Sequence, residues 1–184
     1  AGIRHIKGVF PNYLSVPLPA APRQFWRLAF PLPFRNTLER YAKLRRLDLY
    51  LLAGLIRQES EFTPRAVSAA GARGLMQVLP ATGREIGKKL KLRTVSAASL
   101  FNPERNVQLG TFLLRSLLDT YEGSLEAALA AYNGGKDRVD AWRAWAEYRE
   151  PAEFIENIPI TETRNYVQAV LRNAWLYRRI YNSK

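Results

Sequence analysis

From Arg35 onward the chain repeats apolar residues at steps of three and four, the period of helices with one buried face. "NTLERYAKLRRL" sets Leu38, Tyr41 and Leu44 on such a face, behind Asn36 or Thr37 as a cap. Leu49 to Ile56 is apolar almost throughout, which reads as a buried helix, and Asp48 is placed to cap it. Pro80 can open a short helix over "ATGREIGKKL". "NPERNVQLGTFLLRSLLDTY" predicts a long helix entered at Asn102-Pro103. Ser124 is positioned to cap "LEAALAAYN", which Gly134-Gly135 ends. "DRVDAWRAWAEY" reads as a further helix, Pro151 opens one over "AEFIENI", and Thr161 caps the longest, "ETRNYVQAVLRNAWLYRRIYN". "EFTPRAVSAAGARG" is broken by Pro64, Gly71 and Gly74 and reads mostly as loop. No strand-like alternation of useful length and no internal repeat appears. The class is all-α, about eight short or medium helices around one core.

Residues 1–34 follow a different pattern. "GVFPNYLSVPLPAAPRQFWRLAFPLPF" holds most of the prolines, which deny it a continuous helix. Phe25, Trp26, Phe30 and Phe34 are too apolar for a free tail. The expectation is an extended arm or linker remnant over 1–34, packed on a single domain over 35–184. No apolar run is long enough to span a membrane. The chain opens on Ala1 without a signal peptide, as a processed product or a piece of a longer chain does.

Composition narrows the chemistry. Cysteine is absent, so disulfide frameworks and thiolate metal sites are out. His5 is the single histidine, which argues against a Ser-His-Asp triad or a His-rich metal site. An enzyme built from this chain works with carboxylates, hydroxyls and amides, and nothing in it calls for a metal or cofactor. With 28 basic against 16 acidic residues the formal charge is +12, which favours an anionic partner. Nucleic acid, anionic lipid and bacterial cell wall all carry such charge. No helix gathers Lys and Arg on one face with base-reading residues, and no nucleic-acid motif is present, so nucleic acid is the weakest of the three.

The buried helix over 49–56 runs into "IRQESEF", which sets Glu59 at the end of an apolar element. A carboxylate there is costly unless paired or neutralised. Either Glu59 is an exposed charge at a fraying end, or burial raises its pKa and makes it a proton donor. Three other stretches differ from simple core packing: "GARGLMQVLP", "AYNGG" and "ENIPITETRNYV". Each has a plainer explanation. Gln77 can cap a neighbouring backbone, Tyr132-Asn133 can be an ordinary helix end, and Glu162 suits the dipole of the last helix.

In this order and spacing the four stretches resemble the soluble lytic murein transglycosylases, a goose-type-lysozyme-like family that cleaves bacterial peptidoglycan. The resemblance runs from about Phe30 to Tyr181, and "NPERNVQLGTFLL" matches the helix between the second and third motifs. It implies a lysozyme-like catalytic domain over 35–184 with Glu59 as catalytic acid and base. It implies substrate contacts from Ser68, near that carboxyl group, and from Gln77, Leu79, Tyr132, Asn133 and Glu162. Two departures stand out. Leu79 replaces a common Met, and Lys136 and Asp137 follow Gly135 where the family commonly has Pro and Gly.

A glycosidase usually needs two carboxyl groups. Glu61 is two residues from Glu59 and points away on a helical turn. The resemblance implies that Glu59 acts alone on the N-acetylmuramic acid–N-acetylglucosamine β-1,4 bond and leaves a 1,6-anhydro ring, without water. It also implies glycan strands as partner and action in the periplasm or cell envelope, by what is expected to be a monomer. The rivals are a hydrolysing lysozyme, a non-catalytic wall-binding module and a basic nucleic-acid binder. Trp142, Trp145 and Tyr148 could stack on sugars, with core packing the alternative for at least half of them.

Overall fold

The computed structural model describes residues 2–145 and 150–182. Among these are ten α-helices: α1 Gly2–Val9, α2 Arg23–Ala29, α3 Arg35–Arg45, α4 Leu49–Ser60, α5 Pro80–Lys89, α6 Pro103–Thr120, α7 Leu125–Gly134, α8 Lys136–Arg143, α9 Pro151–Glu156 and α10 Thr161–Asn182. The only extended pairing among the described residues is two isolated bridges, Val67 to Arg73 and Arg73 to Val78. The body is all-α, and its eight helices, α3 to α10, match the number the periodicity predicts.

Side-chain caps open three helices of the body. Asp48 Oδ1 accepts the Leu51 N–H at 2.7 Å, and Asn102 Oδ1 accepts that of Arg105 at 2.9 Å, each meeting an orphan donor of a first turn. Ser124 does the same for α7. At α3 the expected caps are wrong. Asn36 and Thr37 lie inside the helix, and Phe34, in the left-handed region, precedes it without a side-chain bond. The buried face there is Leu38, Tyr41 and Ala42, while Leu44 is exposed.

The core centres on α4. Leu51 to Arg57 are all buried, as expected of a helix apolar on every side. α10 runs antiparallel along α4, and α7 packs on α10 and α6 with Ala127 to Ala131 buried. At Gly54 the contact reaches backbone. A Cβ there would stand 2.8 Å from the Ala174 amide nitrogen and 3.0 Å from the Val170 carbonyl oxygen.

Residues 2–34 lie on the body as a folded segment and not an extended one. The prolines break it into α1, α2 and two 3-10 turns, Tyr13–Ser15 and Leu18–Ala20. Ile3, Ile6, Tyr13, Trp26 and Phe30 are buried. Trp26 Nε1 donates to the Leu18 carbonyl at 2.9 Å, satisfying the polar end of a buried indole.

Gly54→Ala adds one methyl against backbone that cannot swing aside. Alanine is intrinsically better in a helix by about 1 kcal/mol, so any loss reports packing. The expected outcome is a loss of about 1–3 kcal/mol, read by urea or thermal denaturation. Wild-type or higher stability would show that α4 and α10 have room to spare.

Candidate active site

Glu59 lies in the last turn of α4, and the chain leaves that turn under constraint. Glu61 and Phe62 both take left-handed backbone, at φ 49° and 59°. Successive non-glycine residues there are uncommon and need support from their surroundings. Glu61 is held by ion pairs to Lys7 and, at 3.5 Å, to Arg4 of α1. The Phe62 ring is buried edge-on to Tyr177, centroids 6.5 Å apart. Ser60, also buried, donates its hydroxyl to the Leu75 carbonyl at 2.8 Å.

That bond ties the helix end to "GARGLMQ". Asn106, buried in α6, organises the same loop. Its Oδ1 accepts the Met76 N–H at 2.7 Å, and its Nδ2 lies 2.8 Å from the carbonyls of both Arg73 and Leu100. Gly74 is obligatory here. Its φ is +79°, and a Cβ would fall 2.2 Å from the Leu100 oxygen.

The carboxyl group faces a cleft of about 590 Å³ bounded by Gln58, Glu59, Asn133, Glu162, Asn165, Tyr166, Gln168, Ala169 and Arg172. The Tyr166 hydroxyl donates to Glu59 Oε1 at 2.5 Å. Tyr132 donates to the Met76 carbonyl at 2.8 Å. Burial raises Glu59 from 4.5 to about 7, and the Tyr166 hydrogen bond only partly opposes this. Burial, and after it the Glu59 carboxylate, also pushes both phenols well above their usual range. Arg57, two residues earlier, turns the other way. Its guanidinium bonds to the Ala29 carbonyl and, at 2.5 Å, to the Tyr13 hydroxyl, and lies 4.2 Å from the Phe30 ring centroid. Burial pushes Glu61 up, but hydrogen bonds and charge from Lys7 and Arg4 outweigh it and hold Glu61 below the usual carboxylate range. Among the described residues no three of His, Cys, Asp and Glu assemble as metal ligands.

The structure brings Glu59, Asn133 and Glu162 together around the cleft. Asn133 Oδ1 accepts the Thr163 hydroxyl at 2.9 Å. Ser68, Gln77 and Leu79 lie outside that lining. Ser68 is exposed, and its hydroxyl accepts the Ala72 N–H at 3.1 Å; the hydrogen bond on the Glu59 carboxyl group comes from Tyr166 instead. Gln77, left-handed at φ 47°, donates from Nε2 to the Gly74 carbonyl at 2.8 Å and the Ala66 carbonyl at 3.3 Å. Leu79 is exposed. Trp142 is core, Trp145 is exposed, and Tyr148 lies outside the described residues. Sequence reasoning missed Tyr166, Ser60 and Asn106. Tyr166 follows Glu162 by four residues and so shares its side of α10. Asn106, four residues before Gly110, lies polar among the apolar positions of α6, a signal that was available.

The model of the transglycosylase SLT domain matches residues 36–155. The soluble lytic murein transglycosylase of Escherichia coli K12 is 32% identical over 157 residues, covering 84% of this chain and 24% of that protein. A phage PRD1 transglycosylase is 36% identical over 61% of this chain and 38% of its own length. An inactive Glu-to-Gln mutant of the lytic transglycosylase Slt from Pseudomonas aeruginosa superposes with a TM-score of 0.83 at 34% identity, covering 98% of this chain and 30% of that one. The 70 kDa soluble lytic transglycosylase of E. coli superposes at 0.78 with 30% identity, over 87% of this chain and 26% of its own. The chain thus spans about a quarter of the length of the curated E. coli relative.

Two consequences of the Glu59 environment are measurable. Between pH 4.5 and about 7 the folded protein holds a proton on Glu59 that the unfolded chain has released, so this group makes stability fall as pH rises through that window. Glu59→Gln does not titrate. Its stability relative to wild type should climb from pH 4.5 to 7 and level off above, as read by urea midpoints. A difference constant with pH would place Glu59 in water. Removing the Tyr166 hydroxyl removes the one hydrogen bond favouring the ionised form. In Tyr166→Phe, the Glu59 resonance followed by NMR should titrate above its wild-type value; a downward shift would overturn the assignment.

Proposed function

This chain belongs to the transglycosylase SLT-domain family, and on that premise we propose that it cleaves the β-1,4 bond between N-acetylmuramic acid and N-acetylglucosamine in peptidoglycan without water. The observation that carries the reading is Glu59 itself. Its carboxyl group is held protonated near neutrality by burial, no cation offsets that, and the neighbouring carboxylate, Glu61, is committed to Lys7 and Arg4. General acid catalysis needs such a group. The Slt mutant that is inactive with Gln in place of Glu supports the same choice.

In the proposed reaction Glu59 gives its proton to the oxygen leaving C1 of the muramic acid, and the C1–O bond breaks. The sugar's 2-acetamido carbonyl stabilises the developing positive charge from the opposite face. Glu59, now a carboxylate, takes the proton from O6 as O6 bonds to C1. The proton count closes on Glu59, and the products are an anhydro end and a free 4-hydroxyl. Tyr166 holds the carboxyl rotamer through its 2.5 Å hydrogen bond. Asn133 has its oxygen engaged by Thr163, which leaves its NH2 to donate to substrate. Glu162 binds a sugar hydroxyl or amide across the cleft. Ser68 has a hydroxyl proton to give, Gln77 a side-chain carbonyl to accept with, and Leu79 an exposed apolar face; these three, with Tyr132, serve neighbouring sugars. The murein named in the homologues' descriptions supports action in the cell envelope.

The test is digestion of purified peptidoglycan with mass analysis of the soluble products. They should be one water lighter than hydrolytic muropeptides, and rates should fall as pH rises past about 7. Glu59→Gln should lose about 10²–10⁴-fold in rate. Reducing ends among the products would instead identify a hydrolase, and a rate within threefold of wild type would remove Glu59 from the mechanism.

A further inference from the structure

The outer face of α10 continues past the cleft. Asn165, Gln168, Arg172, Trp175 and Arg179 follow one another at steps of three, four, three and four, and all five are exposed. That spacing keeps them on one side of the helix. Asn165, Gln168 and Arg172 line the cleft with Glu59. Trp175 lies one turn further, about 4.5 Å along the axis from Arg172 and about 13 Å from Tyr166. Its indole is 52% exposed. A single exposed tryptophan is ordinary on a protein surface. One that extends the polar stripe of a candidate active site, with a cation fixing its ring, is less so. The Arg179 guanidinium lies 5.8 Å from the Trp175 centroid, within range of a cation–π contact. Arg172 forms no ion pair among the described residues, where seven pairs are formed by other side chains.

We propose that this face of α10 is an additional saccharide subsite, in which Trp175 stacks on a pyranose ring beyond the cleft and Arg172 pairs with a carboxylate of the attached peptide stem. The proposal rests on the peptidoglycan reading above and extends it to substrate length and stem dependence. Pyranose rings present a face of C–H bonds that packs on an aromatic plane, and the indole is the largest such plane available. Stems carry free carboxylates, and a guanidinium with no ion pair among the described residues is the complementary group. The strand thereby continues in one direction along an uninterrupted polar and aromatic path, and charge complementarity selects stem-bearing wall.

Sedimentation with insoluble peptidoglycan tests this in the Glu59→Gln background, where cleavage does not consume the ligand. Trp175→Ala should weaken binding about tenfold, the loss of roughly one good contact, with Trp175→Phe recovering part of it. Arg172→Ala should weaken binding to intact wall, flatten its salt dependence, and have no effect on wall whose stems an amidase has removed. Unchanged thermal melting would show that each variant is folded. Binding within twofold of the parent for Trp175→Ala would overturn the subsite, and equal effects of Arg172→Ala on both walls would overturn the stem contact. If Trp175→Ala instead abolishes a concentration-dependent dimer seen by light scattering, the face joins two copies of the chain and the proposal fails. Wild type that binds wall through Trp175 but releases no soluble product would refute the catalytic reading and leave the subsite standing.

Discussion

A carboxyl group that keeps its proton near neutrality needs neighbouring cations turned away from it, and Glu59 sits two residues from an arginine. The fold resolves this by geometry. Arg57 projects from α4 towards the N-terminal segment, where a carbonyl, a phenol and an aromatic face receive its charge without a carboxylate. Glu61 is turned out by left-handed backbone and bound by α1. What remains around Glu59 is burial and one hydroxyl, and burial prevails.

The N-terminal segment is thereby part of the site's electrostatics although none of its residues line the cleft. Tyr13 and Ala29 hold Arg57, and Arg4 and Lys7 hold Glu61. Remove that surface and a buried guanidinium loses its partners beside the helix turn that carries Glu59, a costly state for any buried charge. The proline-rich composition of the segment says only that it is not one helix. Its function as a receiver for charges on α4 depends on which way those side chains point.

Much of the fold was legible in the sequence because helical period, caps and breakers are local. Asp48 and Ser124 cap the helices they were expected to cap, and α6 is entered at Asn102-Pro103 as expected, whereas Thr161, expected as a cap, is the first residue of α10. Local signals failed where tertiary contacts outweighed them. Asn36 and Thr37 are inside α3, entered from Phe34, and Leu44 faces solvent despite its place in the period. Glu59 was identified at the end of an apolar helix, but the same stretch read equally as a fraying end. Tyr166 and Glu59 are 107 positions apart, and their hydrogen bond exists only because α10 closes on α4 at a residue with no side chain.

The chain by itself determined the all-α class, the order of the body's helices, the absence of cysteine and of a second histidine, and the short motifs with their order. All of these follow from neighbouring residues or from composition. Tertiary structure decided the rest. It made Glu59 a protonated acid, because desolvation is a property of everything packed around a group. It gave Ser60 and Asn106 the task of holding the loop at Leu75 and Met76, and it engaged the Ser68 hydroxyl with the Ala72 N–H. Charge, burial and distance between elements are sums over the whole fold, and no stretch of sequence contains them.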